Sequence, residues 1–516
     1  MKCNRLLLPL VFFVLTTPLL AQSNSLSFAP AVSYLSGGEG VESVTVADVN
    51  GDRKPDLVVA SGCCVGVLLG NGDGTFQTSV TNDSGGRLPE SVAVADVNGD
   101  GKPDILVANV CSNTVPFPCL NGEGAVGVLL GNGDGTFRPA VSYASGGSTG
   151  GAYFLAVADV NGDGKPDILV ANECSNTDCF GRVSVLLGNG DGTFQPAVSY
   201  SSGGLFAFSL AVGDVNGDGK LDVLVVNLCA DDLCASGSVG VLLGNGDGTF
   251  KPAQRIVGLD ALSVSVGDVN EDGKLDLVVA GGFEGFVGIL LGNGDGTFQP
   301  AMTYASGGIN SWSVAVGDVN GDGKLDVLVA NRCVDGLCAS TVGVLLGNGD
   351  GTFQTALNFD PGGFSSRSLT VRDVSGDGKL DVEVANEIGG VGVLINTTPS
   401  PYKAFVQQPI NPDESSIFKA NQRVVPVKFT LTLDDVPTCT LPPATIAVTR
   451  TAGRTPGPVD ETIYSTPADR GSNFRIDPTA CQYVYNLRTS SLGSGTYQVD
   501  ISIFGIVVGQ AVFALK

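Results

Sequence analysis

The chain has 516 residues, too many for one ordinary core, and 43% of them are hydrophobic, so several domains or a packed repeat array is expected and disorder is excluded. The formal net charge of −24 disfavours nucleic acid or anionic lipid as a partner and suits bound cations. Histidine is absent, so no Ser-His-Asp triad, Cys-His pair or His-ligated zinc can form.

At the N-terminus, Lys2 and Arg5 precede an apolar run from Leu6 to Leu20, and Ala21 offers a small residue for cleavage. That run is too short to cross a bilayer comfortably, so residues 1–21 read as a secretory signal and the mature chain is expected to be secreted or on the cell surface. No later segment is apolar enough to span a membrane. The cysteines after the signal fall into close pairs, as suits an oxidising compartment. Disulfides are expected for Cys111/Cys119, Cys174/Cys179, Cys229/Cys234, Cys333/Cys338 and Cys439/Cys481. Cys63/Cys64 is the doubtful pair, because adjacent residues close a strained ring.

From residue 28 one unit repeats. Its centre reads D-V-[NS]-x-D-x-K-[PL]-D, preceded by an alternating stretch such as SVAVAD and followed by an apolar run such as DILVAN, then VGVLLGNGDGTF. Four strand-like runs of about 4–7 residues in each roughly 50-residue unit match a β-propeller blade, and no 3.6-period stretch supports a helix. The expected fold is all-β: a seven-bladed β-propeller of four-stranded blades over residues 28–397. The seventh unit lacks its own outer strand. Phe28-Ala-Pro-Ala-Val-Ser-Tyr34 matches Phe194-Gln-Pro-Ala-Val-Ser-Tyr200, so residues 28–34 are expected to supply that strand and pair with 391–395.

Each central loop places oxygen side chains at positions 1, 3, 5 and 9, as in the first part of an EF-hand loop. The seven sets are Asp48, Asn50, Asp52 and Asp56; Asp96, Asn98, Asp100 and Asp104; Asp159, Asn161, Asp163 and Asp167; Asp214, Asn216, Asp218 and Asp222; Asp268, Asn270, Asp272 and Asp276; Asp318, Asn320, Asp322 and Asp326; and Asp373, Ser375, Asp377 and Asp381. Oxygen-only donors point to Ca²⁺, up to seven ions. Arg53 in the first loop and Ser375 in the last are expected to weaken those two sites. The GNGDGTF segment, with one carboxylate, reads as a tight turn.

These motifs resemble the FG-GAP or VCBS repeats of integrin α-subunit propellers and many exported bacterial proteins. The resemblance implies Ca²⁺ in the loops between the first and second strands, and roles in adhesion, cell-surface interaction or glycan binding without a uniform activity. The chain has no RGD sequence, so integrin biology is not carried over. Residues 398–402 read as a linker, and 403–516 as an immunoglobulin-like β-sandwich of about seven strands. Phe418-Lys-Ala, Pro426-Val-Lys-Phe429, Tyr483-Val-Tyr-Asn486 and Phe513-Ala-Leu-Lys516 resemble the bacterial PxKF accessory domain, which Cys439 and Cys481 would bridge.

Six residues before each first Asp the units differ: Glu42, Glu90, Tyr153, Phe208, Leu262, Trp312 and Arg367. Variation on a fixed scaffold suits recognition, with Tyr153, Phe208, Trp312 and Arg367 as candidate ligand residues; capping of the inter-blade core explains the aromatics equally well. The leading expectation is a non-enzymatic, monomeric, calcium-stabilised protein that binds an extracellular protein or glycan. A calcium-dependent lectin with aromatic pockets between blades is the alternative, and a polysaccharide-active enzyme the least favoured.

Overall fold

A computed structural model describes residues 26–515, apart from 114–123, 148–150, 174–179, 284, 334–338, 408–409, 411–415, 419–423, 434–435, 440–441, 453–456, 459–472, 478 and 489–491. The expected signal at residues 1–21 lies outside the described residues, as do Cys119, Cys174, Cys179 and Cys338. Among the described residues there is no helix, and so none long and apolar enough to cross a membrane.

The first unit sets the pattern. Strand A, Val41–Ala47, pairs antiparallel with B, Asp56–Ser61; B pairs with C, Cys64–Leu68; and C with D, Val80–Asn82. Strand B is buried along its whole length because neighbouring units cover both of its faces. That is why DLVVA and its repeats are continuous apolar runs. The same order recurs until Leu357–Phe359, with one variation: Val198–Gly213 runs without a break from strand D of the third unit into strand A of the fourth. The seven A strands pack side by side, and Val41–Ala47 also meets Phe364–Arg372, so the succession closes into a propeller-like ring.

Closure uses the N-terminus. Val32–Tyr34 pairs with Gly390–Leu394 in the register Val32↔Val393, Ser33↔Gly392, Tyr34↔Val391, and Phe28 bridges to Asn396. Tyr34 packs edge-on against Phe76 at 5.4 Å, the contact that Tyr143 and Tyr200 make with Phe194 and Phe250 at 5.6 and 5.5 Å. The borrowed strand therefore reproduces an ordinary seam between units.

The repeated GDG turn does more than reverse the chain. Gly192 N donates to Val97 O at 3.1 Å, and Gly248, Gly296 and Gly351 donate to Val160, Val215 and Val269 at 3.2 Å, each to the loop of the preceding unit. Gly74 donates to Val374 at 3.1 Å across the closing seam. Glycine in VGVLL has its own cause: a Cβ on Gly127 would lie 1.8 Å from Ser84 O. No other residue fits beneath that crossing backbone.

Beyond the repeats, ten strands among the described residues form two five-stranded sheets around one core that includes Phe429, Tyr483, Tyr497 and Phe513. One sheet contains a parallel pair, Ser416–Phe418 with Phe513–Leu515. Cys439–Cys481 is bonded, as are Cys229–Cys234 and the residues Cys111 and Cys333. Cys63 and Cys64 are free thiols.

Candidate functional site

The two ends of the A strands differ in chemistry. At the C-terminal end each strand enters an acidic loop. In the second loop, Asp96 Oδ1 accepts from Gly99 N at 2.8 Å and Asp100 N at 3.2 Å, and Asp96 Oδ2 accepts from Gly101 N at 2.8 Å. Asn98 Oδ1 accepts from Asp100 N, and Asp100 Oδ1 from Lys102 N. Asp104, fully buried, accepts from Val97 N at 3.0 Å and Gly131 N at 2.7 Å, tying strands A and B to the end of strand C. Burial raises the Asp104 carboxyl above the ordinary range, opposed by those two N–H bonds and reinforced by Asp100 and Asp96.

The donor set, three carboxylates and an amide or hydroxyl oxygen in each loop, fits a hard divalent cation. As placed, these oxygens hold the loop's own backbone. In four loops a lysine also approaches the fifth position, from Lys379–Asp377 at 3.2 Å to Lys54–Asp52 at 4.0 Å. Among the described residues, no three Asp, Glu or Cys side chains converge on one coordination point. Arg53 adopts a left-handed backbone, φ 66°, where the other loops place glycine at that position, and Glu271 does so at φ 59°. The GNGDGTF aspartates close local turns; Asp134 Oδ1, for example, accepts from Thr136 N and Oγ1.

The sixth loop is covered. A Cβ on Gly321 would lie 2.5 Å from Ile506, one on Gly323 would lie 2.5 Å from the Phe504 ring, and one on Gly378 in the seventh loop would lie 2.4 Å from Gly505 O. The tip of the last hairpin of the C-terminal sandwich thus rests on loops six and seven. Desolvation pushes the Asp326 carboxyl up to about 7.

At the opposite end of the A strands lies an axial mouth. The A–B pairing slips by one residue in every unit, between Val41 and Ser43, Pro89 and Ser91, Ala152 and Phe154, Ala207 and Ser209, Ala261 and Ser263, Ser311 and Ser313, and Ser366 and Ser368. The residues at these bulges are Glu42, Glu90, Tyr153, Phe208, Leu262, Trp312 and Arg367. An extra, unpaired residue is re-aimed out of its strand. Here all seven line one small depression. The following serines tie the ring together: Ser263 Oγ accepts from Val314 N at 3.2 Å, and Ser313 Oγ from Leu369 N at 3.3 Å.

The ring is asymmetric. Tyr153 packs on Phe208 at 5.4 Å, and Phe208 reaches past Leu262 to Trp312 at 5.8 Å. Arg367 lies 4.3 Å from the indole centroid and pairs with Glu42 at 3.4 Å and Glu387 at 3.0 Å. Arg332 also lies over the indole, at 5.4 Å, and pairs with Glu387 at 2.9 Å. Glu173 accepts from the Tyr153 hydroxyl, which burial and nearby carboxylates push well above its ordinary value. Burial, with Glu42 adding to it, pushes Glu90 up to about 7. The aromatics therefore sit on the axis and not between units, and the Trp312 ring already carries two guanidinium groups.

Sequence reasoning brought the seven ring residues together but missed their partners Arg332, Glu173 and Glu387. It also missed a buried latch beneath the mouth: Ser84 Oγ donates to Asn109 Oδ1 at 2.7 Å, Ser145 to Asn172 at 2.7 Å, and Ser306 to Asn331 at 2.8 Å. The recurring Asn at the end of strand B is the signal that marks it.

Residues 48–107, 119–170, 171–225, 228–279 and 268–329 match the FG-GAP-like repeat, more than half of the chain. The protein belongs to the FG-GAP-like repeat family. No curated protein matches it. Among solved structures, this FG-GAP-like chain is similar to a lectin of Agrocybe aegerita described as recognising non-reducing terminal N-acetylglucosamine: 24% identity, 68% of this chain and 86% of that one, TM-score 0.41. It is also similar to BBS1N solved with ARL6DN (12% identity, 72% and 97% coverage, TM-score 0.48) and to the exotype rhamnogalacturonan lyase YesX (14%, 72% and 76%, 0.43).

Proposed function

We propose that this FG-GAP-like protein is an exported, non-enzymatic binding protein, monomeric and serving extracellular adhesion or recognition, whose seven units act as the blades of one propeller and whose acidic loops take up Ca²⁺. The observation that carries this reading is the sevenfold recurrence of three carboxylates within nine residues at one end of the inner strands. Such a density of like charge is relieved by a divalent ion, and seven ions would bring the net charge from −24 to about −10. The bonded Cys229–Cys234 and Cys439–Cys481 pairs support an oxidising compartment. The ion's part is to stiffen the loop; the chain's part is to present varied side chains at the far end of the same strands.

Melting with excess EDTA against millimolar Ca²⁺ tests the reading. Chelation should lower the Tm by roughly 10 °C or more, because several weak sites each stabilise only the folded state. An unchanged melt rejects calcium. Glycan recognition through Trp312 and Tyr153 is the weaker reading, since Arg367 and Arg332 already occupy the indole.

A further inference from the structure

Among the described residues, the axial mouth holds more carboxyl groups than cations. Four carboxylates converge there, Glu42, Glu90, Glu173 and Glu387, against two guanidinium groups, Arg332 and Arg367. Both arginines are engaged on one side of the ring by Glu42, Glu387 and the Trp312 face. Glu173 is engaged by Tyr153. Glu90 is left: it lines the depression between Glu42 and Tyr153, and among the described residues no hydrogen bond or ion pair reaches its carboxylate. The aromatic arc Tyr153–Phe208–Trp312 begins at its neighbour and runs on around the same depression.

A carboxylate and aromatic rings lining one small opening are the pairing that recognises an organic cation, through the charge of the one and the ring quadrupoles of the other. Arg367 on Trp312 is the same chemistry supplied from within the chain. We propose that the mouth binds a primary alkylammonium group, free or as a lysine-type side chain, with Glu90 as its counter-ion and Tyr153 and Phe208 as its wall. This rests on the binding-protein reading above and names the ligand class of that site. A glycan is disfavoured at the same place because no aromatic face on the arginine side is free to stack on a sugar.

Proton linkage follows. Glu90 holds its proton to about pH 7 in the empty mouth, so a cation must displace it and binding strengthens as pH rises through neutrality. The charged groups facing it, Glu42, Glu173 and Arg367, act in opposite senses, the two carboxylates raising and the arginine lowering the value.

Trp312 is the only tryptophan, so its fluorescence reports on the mouth directly. Titrating the whole calcium-loaded protein with n-butylammonium at pH 8 should give a saturable change in Trp312 emission. Binding at pH 5.5 should be weaker by about tenfold or more, as should binding by Glu90→Gln at pH 8. A Gly-Lys-Gly peptide with blocked ends distinguishes a side chain from a free amine. N-acetylglucosamine should leave the emission unchanged. No saturable response to either cation up to 50 mM on the order of a non-specific limit, or equal binding by Glu90→Gln, overturns the proposal. An EDTA-sensitive melt alongside such a failure sinks only the ammonium site, whereas an EDTA-insensitive melt sinks the calcium reading.

Discussion

The same seven strands end in two contrasting ways. At one end every unit presents nearly the same four oxygen side chains in the same hydrogen-bonded loop; at the other the equivalent residue changes from glutamate to tyrosine, tryptophan and arginine. The uniform end is occupied with its own backbone. Asp104 and its equivalents spend both carboxylate oxygens on main-chain N–H groups that would otherwise be buried without partners. The varied end uses bulged residues that owe nothing to the ladder. Uniformity thus marks positions that hold the ring together, and variation marks positions free to take on recognition.

Substitution at the uniform end should break the molecule hardest. Asp104→Ala strands Val97 N and Gly131 N, costing about 2–5 kcal/mol, and thermal melts should show this with or without EDTA. Asp100→Ala sharpens the comparison: in EDTA it should cost only the bond from Lys102 N, and in Ca²⁺ it should lower the Tm further, separating ion binding from loop architecture.

The next effect has the opposite sign. Glu383 is fully buried on strand B of the last unit, where the other six carry Val58, Leu106, Leu169, Leu224, Val278 and Leu328, and neither carboxylate oxygen has a partner. Burial raises its carboxyl well above 4.5. The unfolded group ionises at about pH 4.3 while the folded one stays protonated, so stability is lost as pH rises above that value, by roughly 1.4 kcal/mol per unit until the folded group also ionises. Glu383→Leu should therefore be more stable than wild type at pH 7 by about 2–3 kcal/mol, with the gap closing near pH 4, as read from denaturant melts at both pH values.

At the varied end the cost should be smaller. Arg367→Ala removes two ion pairs and the stacking on Trp312, and should cost about 1–2 kcal/mol while shifting Trp312 emission. A loss exceeding that of Asp104→Ala would contradict the division between the two ends. Smallest of all, Arg53→Gly should add about 0.5–1 kcal/mol by relieving the left-handed backbone at φ 66°.

Much of this was legible in the sequence, because the repeat carries its own alignment. The phase of the units located the borrowed strand at residues 28–34, and offsets from each first Asp picked out the mouth. What stayed hidden depends on pairing between distant residues. The bulge at Trp312 is invisible in SWSVAVGD, whose strand-like run continues straight through it. Arg332 and Glu387 lie in different units and meet only across a seam. The cover on the sixth loop comes from Phe504, nearly two hundred residues away in the chain. Glu383 was detectable, as a carboxylate in a column of valines and leucines, but only its enclosure reveals that it has no partner.

Closure through Val32–Tyr34 has a consequence for biogenesis. Ser27 and Thr398, which meet across 371 positions, are among the first and last residues of the ring to leave the ribosome. Until they join, Gly390–Leu394 is a bare edge open to any passing strand, including the same segment of a sister molecule. The ring is thus a late product of synthesis, and the interval before it shuts is when the nascent chain is most exposed to exchange with its neighbours.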